Sequence, residues 1–144
     1  MIPHPGKALA DLAVKLASSI APETNSSFAM ANTGLISMLM LALSQDSERA
    51  VANRMTDLSA LHALFAEAAA RYPDAPQTGA RLSFCKRSPA SLLLSDVDAV
   101  HADGFSLLID LHAWAEQHAA ELNAQIWDFL LAHTERNRYE LPGV

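Results

Sequence analysis

Charge is missing where a soluble chain of this composition would be expected to carry it. Between Glu23 and Asp46 there is no charged residue and no histidine, although 18% of the 144 residues are charged. Within that gap, residues 28–43 (FAMANTGLISMLMLAL) read as one helix, apolar or small around nearly its whole circumference. Such a helix has to be covered on all sides, by the rest of its domain or by a second copy. The run falls short of the ~20 apolar residues of a bilayer span, and Asn32, Thr33 and Ser37 interrupt it. The expectation is therefore a core helix and no membrane partner.

Cysteine is nearly absent. A single Cys85 excludes an intramolecular disulfide framework and any multi-cysteine metal site, and a reducing, cytoplasmic setting is the simplest reading. The opening residues MIPHPGKALADL lack the basic and then long apolar segments of a secretory signal. Basic residues are outnumbered: the formal net charge of −6 and pI near 5.4 supply no basic footprint for nucleic acid and no attraction to an anionic membrane. Aromatics make up only 6% of the chain and do not interleave with basic residues, so single strands have no stacking platform. No dinucleotide or phosphate loop, zinc ribbon, nucleophile elbow or kinase signature occurs.

What is present is helical pattern. Residues 5–20 carry Leu9, Leu12, Val14, Leu16 and Ile20 until Ala21-Pro22 ends the run. Residues 28–43 should form a separate helix that stops near Ser44-Gln45, and Asp46 or Ser47 should cap the next. That third helix has the cleanest period: Val51, Met55, Leu58, His62, Phe65, Ala69 and Tyr72 in steps of four and three, a packing seam widened by Leu61, Leu64 and Ala68. Residues 73–91 contain the proline- and glycine-rich interruption and are expected to be a surface loop. From Ser95 no proline occurs before Pro142, and one long helix is expected over 96–138, with a break near Gln117–Ala120 as the alternative. These segments predict an all-α, single-domain antiparallel helical bundle of four to five helices around the hydrophobic central helix, with residues 1–144 as one domain.

Chemistry has few footholds. His62, His112 and His133 sit in the apolar stripes of three segments, with Glu116 one turn beyond His112. Inward histidines from separate helices are one way a bundle holds a divalent metal, so these four are the candidate ligands, weighed against simple packing. Asp98 with His101 and His118 with Glu121, each three apart, read as solvated acid–histidine pairs. Arg81, Lys86 and Arg87 around Cys85 could hold an anion, and a solvated loop explains them equally well. Asn32, a polar residue inside the neutral helix, could fix the register between helices or subunits, or line a pocket.

The function expected from this inventory is a non-catalytic oligomerising interaction or regulatory module. It would be a homo-oligomer with a dimer as default, and a protein partner is possible. The alternatives are a metal-binding helical bundle with hydrolytic or redox activity and a binder of small apolar or anionic ligands.

Overall fold

In the computed structural model of the chain, residues 4–140 are described. The fold is all-α. The helices are α1 (Pro5–Lys15), α2 (Ser27–Arg71), α3 (Thr78–Phe84), α4 (Leu94–His118) and α5 (Ala120–Arg136). α1 widens into a π-turn at Leu16–Ile20 and ends in a 3-10 turn at Ala21–Glu23.

Three expected boundaries move, each for a local reason. The two helices expected either side of Ser44 are one, α2. No proline occurs between Pro22 and Pro73, and the serines at the expected helix end (Ser44) and expected cap (Ser47) bond elsewhere. The Ser44 hydroxyl donates to the Gly6 carbonyl at 2.8 Å and the Ser47 hydroxyl to the Ser44 carbonyl at 2.8 Å, which leaves the helical ladder intact. Inside the expected loop, α3 forms behind Gln77, which holds a left-handed backbone (φ 58°). Its side-chain amide donates to Asp110 at 2.6 Å. The expected long C-terminal helix breaks at Ala119 (φ −148°, ψ 77°). There His118 Nδ1 bonds the Trp114 carbonyl at 2.8 Å and its ring stacks on Trp114, closing the end of α4 as histidine does at helix C-termini.

The chain divides into two compact units. The larger, Val51–Arg138, holds the apolar core: Leu58, Leu61 and Phe65 of α2, Phe84 of α3, Val97 and Leu111 of α4, Leu122 and Ile126 of α5. α5 folds back along α4, so that Phe105 meets Phe129 and His112 meets Trp127. Gly104 sits where a Cβ would lie 2.6 Å from Phe84 Cζ and 3.0 Å from Leu61 Cδ1; only a residue without a side chain lets the three helices approach so closely.

The other unit comprises the residues up to Ala50 together with Tyr139 and Glu140. Here α1 runs back along the first half of α2. The Ser37 hydroxyl donates to the Ala13 carbonyl at 2.7 Å and Ser44 reaches Gly6. Gly6 permits this approach, since a Cβ there would stand 2.6 Å from the Glu48 carboxylate. α1 covers only one side. Only 6% of the most apolar window of α2 is buried, and Phe28 is 75% exposed, with Leu35, Ile36, Met38, Leu39 and Leu43 all at least half exposed. The expected core helix is thus uncovered within the described chain. By length and composition it also passes as a bilayer-spanning helix, with mean hydropathy 1.5.

Candidate functional site

The one place where polar chemistry converges inside the larger unit is Asp57. This residue lies in α2 in register with Leu61, Leu64 and Ala68, the stripe that packs into the core, and it is fully buried. A buried carboxylate is costly unless it is paired. Asp57 is paired on both oxygens. Oδ2 lies 2.7 Å from His133 Nδ1 and 3.1 Å from His101 Nε2, and Oδ1 accepts from Arg136 Nη2. α4 delivers His101; α5 delivers His133 and Arg136 on successive turns.

The carboxylate is an acceptor only, which fixes the tautomers: His101 donates through Nε2 and His133 through Nδ1. Asn137 then donates its amide to the His133 carbonyl at 2.8 Å. Asn53, one turn before Asp57, donates to the Arg136 carbonyl at 2.9 Å. Arg54 pairs with Asp98 beside it. Burial pushes the Asp57 carboxyl up, and the hydrogen bonds from Arg136, His101 and His133 outweigh it, holding the group below its ordinary carboxylate value.

Asp57, His101 and His133 form the only group of metal-ligand residues among the described residues whose donor atoms lie within 4.8 Å of one another. Two imidazoles and a carboxylate are a recognised donor set for a divalent ion. Two observations oppose that use. Asp57 Oδ1 is already engaged by a guanidinium, so an ion would add two positive charges beside Arg136 with one carboxylate to balance them. Both histidine nitrogens that would ligate instead hold protons aimed at Oδ2. The asparagine, arginine and histidine donors complete a closed network, and no hydroxyl or thiol among the described residues bonds to Asp57. The arrangement is therefore a carboxylate held on both oxygens by cationic and imidazole donors.

The residues singled out from sequence fall apart in space, with one exception. His133 joins the cluster. His62 lies edge-on to Phe84 at 5.2 Å, lines a shallow groove with Met55, Ser59 and Arg87, and its Nε2 is buried without a partner. His112 bonds Asn123 Oδ1 at 3.0 Å through Nε2, with Glu116 at 3.9 Å. His62, His112 and Glu116 are therefore not joined to His133 in any ligand group among the described residues.

The basic trio separates too. Arg81 is fully buried and donates to Thr78 Oγ1 at 3.1 Å, leaving Nε and Nη1 without partners. Burial lowers its pKa against the pull of Asp110. Lys86 is exposed, and Arg87 pairs with Asp103 at 2.8 Å. Asn32 is exposed on α2, amid the uncovered apolar side chains.

Asp57 and Arg136 were not picked out from sequence, and His101 was read only as the solvated partner of Asp98. His101 had a nearer acid in Asp98, and only the spacing 57, 61, 64, 68, which threads an aspartate onto a leucine–alanine stripe, marks Asp57 as inward-facing. No family model matches the chain, and comparison with curated proteins and with solved structures gives no match.

Proposed function

We propose that the protein is a non-catalytic interaction module that docks through the uncovered apolar face of the first half of α2. The observation that carries this reading is the stripe itself. Phe28, Leu35, Ile36, Leu39 and Leu43 lie within about a quarter turn of one another at 100° per residue, and each is half exposed or more. Contiguous apolar surface of this kind marks a site of association. The Asp57 network supports the same reading from the other side. It pins three helices together through a carboxylate that is fully buried and engaged on both oxygens, which serves the fold of the larger unit.

A bilayer is the competing cover, and the α1 contacts weigh against it. With Gly6 beside Ser44 and Ala13 beside Ser37, Lys7, Asp11 and Lys15 lie alongside residues near 43, 39 and 35. If α2 crossed a membrane, Lys15 and Asp11 would be carried close to mid-depth, at up to ~2.5–3.5 kcal/mol each. An in-plane orientation gains nothing from charge either. The described part of this unit has three basic residues (Lys7, Lys15, Arg49) against five acidic ones (Asp11, Glu23, Asp46, Glu48, Glu140). Peripheral helices draw on the opposite balance.

The test is the double substitution Leu35→Glu and Leu39→Glu, compared with wild type by circular dichroism, sedimentation and binding of an apolar dye. The expected result is an unchanged helical spectrum with loss of self-association or dye binding. A variant that unfolds would make the stripe core and overturn the reading. The alternative of a metal centre predicts bound divalent ion in elemental analysis of chelator-free protein, lost in His133→Ala; its appearance would replace this proposal.

A further inference from the structure

Resting on the docking reading above, we infer that the partner is a second copy of this chain, set parallel to the first with Asn32 against Asn32. Read outward from α1, a seam of α2 falls at Phe28, Asn32, Leu35 and Leu39, all exposed, and continues through half-buried Ala42 and Asp46, in steps of four, three, four, three and four. This is the spacing of a two-stranded seam, in which Asn32 and Leu39 occupy one class of position and Phe28, Leu35 and Ala42 the other. A single asparagine at such a position fixes register and the number of strands at a cost in stability.

The position of Asn32 selects the direction. It lies one turn from the start of the uncharged stripe, not at its middle. An antiparallel pair centred on residues 28–43 would set Asn32 opposite Leu39 and bury its amide against an apolar side chain, at ~1–3 kcal/mol for each unsatisfied group. An antiparallel pair centred on Asn32 itself would satisfy the amides and leave Leu39 and Leu43 uncovered. Only the parallel pairing both matches amide to amide and covers the whole stripe on both copies.

Area is adequate for such a pair. Six large side chains, from Phe28 to Leu43, are each at least half exposed. On the ~200 Å² scale of a large side chain they offer on the order of 600 Å² per copy, against the ~800 Å² per partner of a standard interface. The flanking positions Ile36, Met38 and Leu43 are apolar rather than charged. The surface therefore carries no electrostatic code for an unlike partner, whereas a two-fold pair needs only self-complementarity.

The experiment uses full-length protein with Cys85→Ser as background, which leaves the chain free of cysteine, and adds Leu39→Cys, Phe28→Cys or Leu43→Cys, so that Asn32 stays in place. Mass is measured by sedimentation over a dilution series, disulfide formation under mild oxidation, and flotation with phosphatidylcholine–phosphatidylserine vesicles. The expected result is a mass of two chains and an efficient 39–39 disulfide, with no 28–43 disulfide in a mixture of the Phe28→Cys and Leu43→Cys variants. Asn32→Leu should then relax the specification, giving larger assemblies or a mixed register.

A dimer that forms the 28–43 disulfide and not the 39–39 one overturns the inference and leaves the docking reading standing. A monomer that keeps dye binding at the stripe overturns the inference alone. A monomer that floats with vesicles overturns both.

Discussion

The two halves of α2 are one helix with two fates. Before Ala50, its large apolar side chains face outward: Phe28, Leu35, Leu39 and Leu43 are all more than half exposed. After Val51, the side chains of Leu58, Leu61, Leu64 and Phe65 are buried. Apolar content does not separate them, since the first half is the more hydrophobic. What separates them is sidedness. The second half carries Arg54, Asp57, Glu67 and Arg71, and each is tied to another helix or to its own: Arg54 to Asp98, Glu67 to Gln125, Arg71 to Glu67 and Glu121. These charges tell the helix which side to bury. The first half has none before Asp46, and α1 lays its buried Gly6 and Ala13 against one side of it.

The largest effects should come from the half that is packed. Asp57→Ala would strand the Arg136 guanidinium and two histidine donors, and breaking a buried pair from one side costs about 3–5 kcal/mol. Urea unfolding should show the loss, and Arg136→Met should cost clearly less if the histidines still hold the carboxylate. Acid should produce the same loss in wild type. The Asp57 carboxyl is held below its unfolded value of ~3.9, so its contribution is full above that pH and disappears as pH falls through the lower folded value. Unfolding midpoints should therefore drop below about pH 4, and Asp57→Ala should flatten that drop.

The contrast itself is tested next by the same substitution in each half. Leu61→Ala, in the core, should cost about 2–5 kcal/mol. Leu39→Ala should cost within ~0.5 kcal/mol in dilute, unassociated protein, and should weaken association at high concentration. Equal stability costs at both positions, independent of concentration, would break the comparison. Gly104→Ala should fall below Leu61→Ala, at about 1–3 kcal/mol for overpacking, because the added Cβ meets Phe84 and Leu61 rather than open space. Gly34→Ala is the control, since nothing lies within 4 Å of a Cβ there; in a helix interior it should be neutral or stabilising, by up to ~1 kcal/mol.

The class of the fold was legible in sequence because helix period survives in every long segment. The seam from Val51 to Tyr72 names Leu58 and Phe65, both of which are in the core. Boundaries were less legible, and Ser44 shows why. Ser47 before Glu48 reads as a cap, but its hydroxyl turns back to the Ser44 carbonyl, and Ser44, at the expected helix end, turns its own to the carbonyl of Gly6, thirty-eight residues away. Ala119 has neither glycine nor proline to announce its break, which follows from the stack of His118 on Trp114 and from burial of Ala119 itself. Of the candidate site, only His133 was legible. A histidine on a stripe states that it faces inward, and not which helix it will meet. His101 was assigned to the acid on its own helix because local spacing is all a sequence shows. Its partner Asp57 comes from a helix forty-four residues earlier.

The smallest effect probes how α1 is held to the uncovered half. Ser37→Ala removes the hydroxyl that donates to the Ala13 carbonyl, worth about 0.5–1.5 kcal/mol. If α1 stays seated by Gly6 and Ala13 alone, amide exchange should quicken near Ala13 with little change at Leu61 or Leu111. If instead the whole of α1 exchanges freely, the small-residue contact is insufficient without that one hydrogen bond. The same variant then asks whether the apolar face of α2 depends on α1 at all. A seam that spans Phe28 to Leu43 by itself should still pair at high concentration after α1 loosens, because the pairing residues and the α1-facing Ser37 lie on opposite sides of the helix.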